Sequence, residues 1–262
     1  MASTLSAGDI AIIGYLAGGN ASSGKPTDSS FSFIALKNIE PGTDIYFTNN
    51  GWTGSTFNGV TPTTLNGAEE VTKFTTSSSL SAGTIIRSYD APANWTTSGS
   101  IISGSNNGSY SRLNLATPAQ GGDQITAFQV ANPTTRSGFV PLYQLDYTGA
   151  FENATNANTG SVVPGLSNAS TGENANTAEL KSNLNTFGAF NTGALSSANN
   201  KAEWLEAVSN DANWTYNSSS STPNLPSGPI ALNEVPEPIT MFGSLTALVI
   251  GAGLKQFRKK FQ

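Results

Sequence analysis

The sequence predicts a mainly β chain, an antiparallel β-sandwich with one or two short helices, followed by a membrane-spanning helix at the C-terminus. Three observations predict it. Apolar residues come in short runs rich in Ile, Val, Phe and Tyr, parted by Gly, Ser, Asn and Thr, which is the pattern of strands and turns. Through residue 150 no helical stretch is long enough to carry the chain between parallel strands. Near the end, 16 consecutive uncharged residues run directly into a cluster of cations.

Taken in order, residues 9–16, 31–37, 44–48, 71–75, 84–89, 123–130 and 139–147 read as strands. The second and third are joined by Asn38-Ile39-Glu40-Pro41-Gly42, where Pro-Gly suits the centre of a type II turn, so a hairpin is expected there. The remaining strands are expected to pair antiparallel. Ile10, Ile12, Phe33, Ile45, Phe47, Ile85, Ile125 and Phe128 are the core candidates. Residues 200–209 read as a helix: Asn200 is an N-cap, Glu203 follows three residues later, and Trp204, Leu205 and Val208 share one face. The chain of 262 residues, with 37% hydrophobic residues, can pack residues 1–216 as one domain. Residues 217–234, which include NSSSSTPNLPSGP, read as a flexible spacer ahead of a tail at 235–262.

Charge separates the tail from the body. Of the 12 basic residues, Lys255, Arg258, Lys259 and Lys260 lie in the last eight positions, which leaves an acidic body. An acidic surface repels phosphate, and no basic stripe alternates with aromatics, so nucleic-acid binding is excluded from the expected functions. Residues 239–254 carry no charge and as a helix would reach roughly 24 Å, close to a bilayer's hydrocarbon core. A cation cluster directly after such a run orients it with its C-terminus in the cytoplasm, placing residues 1–234 on the other side. Gly243, Ala247 and Gly251 recur every four residues and form a small-residue strip on that helix, suited to close packing against another helix.

Ahead of the run stands Val235-Pro236-Glu237-Pro238, held extended by its two prolines as a protease substrate would be. Motif, apolar helix and cation cluster in this order resemble the PEP-CTERM sorting signal of Gram-negative bacteria and cyanobacteria. The resemblance implies recognition and cutting by exosortase, an integral-membrane cysteine protease. The precursor would then lie in the inner membrane, and the processed protein at the cell surface or outside the cell. Such a signal expects a leader at the other end, and MASTLSAGDI shows neither a basic nor an apolar leader region, so a removed leader or a late start is expected. The body wording LSAGDIAIIGY, FSFIALKNIEPGTDIYFTNNGW, GGDQITAFQ and VPGLSN resembles a domain of secreted bacterial and cyanobacterial proteins, similar to the lamin-tail type of β-sandwich, over most of residues 5–216. That resemblance transfers no catalytic residues.

The chemistry available is restricted. With no histidine and no cysteine, the chain has no Ser-His-Asp or Cys-His arrangement and no ordinary zinc site. Paired carboxylates remain, with Glu69-Glu70 or Asp44 as nominees, but neighbours on a strand point to opposite faces. Calcium is the cofactor left open, through Thr48-Asn49-Asn50-Gly51 and Gly121-Gly122-Asp123, whose ordinary reading is turn chemistry. Trp52, Trp95 and Trp214 beside Asn and Asp could stack on sugar rings or pack in the core. The expected function is a non-enzymatic surface or extracellular-matrix protein. A carbohydrate-binding module acting on exopolysaccharide is the alternative, and a carboxylate-based or metal-dependent hydrolase stands third.

Overall fold

A computed structural model of the chain describes residues 1–17, 29–54, 57, 71–88, 95–96, 113, 115, 123–131, 138–149, 151, 160–169, 172, 175–180, 186–217 and 224–232. The alternating runs become β1 (Ile10–Leu16), β2 (Ser30–Ala35), β3 (Asp44–Thr48), β4 (Val71–Thr75), β5 (Ile85–Arg87), β7 (Gln124–Gln129) and β8 (Val140–Asp146). Shorter strands missing from the sequence reading are β6 (Trp95–Thr96), β9 (Thr177–Glu179), β10 (Phe187–Phe190) and β11 (Trp214–Asn217). One sheet has the order β11-β10-β1-β2-β5 and the other β6-β4-β3-β7-β8-β9, a mainly β arrangement consistent with a sandwich. The pairs are antiparallel except β8 with β9, which is parallel and corrects the expectation of antiparallel pairing throughout.

The expected hairpin between β2 and β3 is also corrected. Its turn exists, with Gly42 at φ 77°, the left-handed conformation a type II turn asks of glycine. The two strands nevertheless belong to different sheets: β2 pairs with β1 and β5, while β3 pairs with β4 and β7. Their apolar sides face one another across the interior, with the Phe33 and Phe47 rings 5.1 Å apart and the Phe31 and Phe47 rings 4.8 Å apart. The local turn chemistry therefore serves a connection between layers.

Seven of the eight core candidates, Ile10, Ile12, Phe33, Ile45, Phe47, Ile85 and Ile125, lie in one cluster between the sheets. Phe128 is equally buried but packs with Tyr46 and Val71 in a second cluster. Ile125 and Phe128 are an odd number of residues apart on β7, so the pleat sends them to opposite faces. In β1 the register shifts between Ile12 and Gly14. Ile12 pairs with Phe33 and Tyr15 with Phe31, so the irregularity at Ile13 lets both Ile12 and Tyr15 face inward. The Tyr15 ring then stacks on Tyr147 with centroids 4.3 Å apart.

Helix α1 (Lys201–Ser209) forms where expected. The Asn200 side chain accepts from Glu203 N at 3.0 Å, and the Glu203 carboxylate accepts from Asn199 N at 2.8 Å, so both groups satisfy amides that the first helical turn cannot. Trp204, Leu205 and Val208 are buried and join the main core. Lys201, at the helix start, donates to Asp9 just before β1.

Candidate functional site

The tail lies outside the described residues: Val235, Pro236, Glu237 and Pro238, the strip Gly243, Ala247 and Gly251, and the cations Lys255, Arg258, Lys259 and Lys260. Among the described residues no helix is long and apolar enough to cross a membrane. The structure does describe the segment leading into the tail. Residues 224–232, expected as part of a flexible spacer, are instead packed on the body. Leu225 is 2% exposed and clusters with Leu16 and Phe187. Ile230 N donates to Gly83 O at 2.9 Å, and Ile230 and Leu232 pack against the main core.

Two glycines make this approach possible. A Cβ on Gly14 would stand 2.9 Å from Pro226 Cδ and 3.0 Å from Leu225 Cδ2. One on Gly83 would stand 1.9 Å from Ile230 O, in a backbone held at φ +86°. Gly14 belongs to β1, and Gly83 immediately precedes the pairing of β5 with β2. The segment is thus a strap from the β1–β10 region to the start of β5. Its signal in the sequence was the spacing of Leu225, Ile230 and Leu232 among prolines and a glycine, since a free spacer has no need of three large aliphatic residues.

The aromatic candidates separate. Trp214 is 7% exposed, donates through Nε1 to Val208 O at 2.8 Å and meets Phe190 edge-on, so it is a core residue and presents no ring face to a sugar. Trp52 is half-buried between Phe57 and Phe139, with centroids 5.1 and 6.2 Å away, and its Nε1 is buried without a partner. Trp95 lies in β6, and its side chain is outside the description.

Of the two loops nominated for calcium, Gly121 and Gly122 lie outside the described residues, while Asp123 meets the other loop at Asn49. Asn49 Nδ2 donates to Asp123 Oδ2 at 3.1 Å, and Gln124 N donates to Asp123 Oδ1 at 2.8 Å. The contact continues as a buried polar chain: Gln124 Nε2 donates to Asn50 O, Gln144 Nε2 to Gln124 Oε1, and Val163 N to Gln144 Oε1. Asp123, Gln124 and Gln144 are fully buried, and their hydrogen bonds tie the loops at 49–52 and 160–163 to the sheet. Among the described residues no three carboxylates converge as metal ligands.

The acid nominees are similarly placed. Glu69 and Glu70 lie outside the described residues. Asp44 pairs with Lys73 at 3.2 Å and accepts from Thr75 Oγ1 at 2.6 Å on neighbouring strands. Beside it, burial and the Asp44 charge push the Tyr46 phenol up to about 12. An open cleft of about 490 Å³ beside α1 is lined by Ser197, Glu203, Glu206, Asn210, Asn213 and three alanines, with no aromatic ring. Its polar groups bond to nearby backbone: Glu206 accepts from Gly172 N, Asn213 Nδ2 donates to Ala207 O, and Asn210 accepts from Ala212 N. Comparison with protein-family models, curated proteins and solved structures returns no match.

Proposed function

We propose that this chain is an exported surface or extracellular-matrix protein without catalytic activity of its own, whose tail at 235–262 is recognised in the membrane and cut by exosortase. The observation that carries the reading is the order of the tail in the sequence: Pro236-Glu237-Pro238, an uncharged run at 239–254, and four cations within the eight residues after it. The absence of histidine and cysteine from the whole sequence supports a non-catalytic role, because common nucleophile activation and zinc chemistry lack their residues. The body then serves as the displayed part, and the membrane and its protease are the transient partners.

The test is a blot for the body in membrane and secreted fractions of exosortase-bearing cells. Pro236→Ala with Glu237→Ala and Pro238→Ala removes both φ restraints and the charge, which lets helix extend upstream into the cut site. Uncut precursor should accumulate in the membrane. Neutralising Lys255, Arg258, Lys259 and Lys260 should instead weaken orientation, since each cation resists translocation by a few kcal/mol. If both variants are cut and released like the parent, the tail is an anchor only and the sorting function is abandoned.

A further inference from the structure

We infer that residues 224–232 are a latch that withholds the tail from the protease, so that the latch must leave the body for processing to occur. The inference rests on the sorting function proposed above and adds a controlling element to it. The docked strap has anchors at both ends: Leu225 in the cluster with Leu16 and Phe187, and Ile230 and Leu232 against the core with Ile230 N on Gly83 O. Gly14 and Gly83 leave the room it occupies.

Docking sets the length of the free tether. With Leu232 held, Val235 stands at most roughly 10 Å of chain away from the body surface. A body of this length has a radius of gyration of about 17 Å and cannot follow a peptide into a recess at the membrane. Once the strap leaves, positions 218–234 can extend on the order of 55 Å, and the motif reaches the cleft while the body stays clear. Docking and cutting therefore compete, and the cutting rate is reduced by the fraction of molecules in which the strap is docked. The cut breaks one peptide bond: water, or an amine or hydroxyl of a surface acceptor, takes the acyl end on the body side, and the tail leaves as the amine with the proton released by that acceptor. The latch alters access and leaves this chemistry unchanged.

Two variants of the full chain separate tether length from docking. Leu225→Ser with Ile230→Pro removes the buried anchor and the donor to Gly83, releasing the strap. Insertion of ten Gly-Ser residues between Leu232 and Asn233 leaves the strap docked and lengthens the tether alone. Pulse-chase conversion in exosortase-bearing cells should accelerate about tenfold in each, and combining the two should add little. Limited proteolysis of the purified full chain should show new cuts within 224–232 in the released variant and in neither of the others. If that variant loses its body to proteolysis, the insertion decides, since it touches no packed residue. A parent that is cut, with an insertion variant cut at the same rate, overturns the latch alone. A parent that is never cut overturns the sorting function and the latch with it.

Discussion

Asp9 is 4% exposed and sits where three parts of the body meet. Its Oδ2 accepts from Ser6 N at 2.7 Å and lies 3.0 Å from Lys37 Nζ, while its Oδ1 accepts from Lys201 Nζ at 2.7 Å. One carboxylate thus ties the entry to β1, the exit of β2 and the start of α1. Both lysines keep part of their hydration, with side chains 42% and 28% exposed, so the charge pairing is weakened by solvent. Asp9→Ala is expected to cost about 1.5–3 kcal/mol, the range for hydrogen bonds to a charged group. Asp9→Asn, which keeps acceptors for Ser6 N and one lysine, should cost less. Urea midpoints compare them, and an Asp9→Ala midpoint equal to the parent's removes the residue from this role. The sequence shows an acid at the edge of an apolar run; which cations converge on it is visible only once residues 37 and 201 are brought beside it.

Helix α1 owes its start to local chemistry and its position to burial. Asn200 and Glu203 satisfy amides at the first turn, and Trp204, Leu205 and Val208 are spaced to reach one side. Asn200→Ala should destabilise the protein by about 1 kcal/mol, as removal of an N-cap acceptor does. Thermal melts followed at the buried Trp204 would register it, and an unchanged midpoint would show that packing alone sets the helix boundary. This element was legible because its caps and its apolar face are set by residues within four positions of one another. The hairpin at Pro41-Gly42 was misread for the complementary reason: a type II turn reverses the chain without recording whether the next strand joins the same sheet or the facing one. Strand β1 gives a third case. The irregularity at Ile13 is invisible in an unbroken apolar run, yet it brings Tyr15 inward against Tyr147.

Across the molecule the strap changes where the folded body ends. Residue 217 closes β11, but Leu225, Ile230 and Leu232 are packed beyond it. A chain ending at 217 should therefore be less stable than one ending at 232. Burying Leu225 is worth about 1.5–3 kcal/mol, and ordering the strap offsets part of what all three residues contribute. A net of about 2 kcal/mol lowers the midpoint by roughly 4–8 °C at this size. Equal melting temperatures for the two chains would mean that the strap rests on the body without stabilising it. Seven of the eleven strands described, the helix caps, the turn at Gly42 and the division of charge between body and tail could be read directly from the chain, because they depend on residues close in sequence. The partition into two sheets, the parallel β8–β9 pair, the burial of Trp214 and the docking of the strap could not. Each depends on which apolar faces meet across the core or over the sheet, and alternation records that a face is apolar without recording what will cover it.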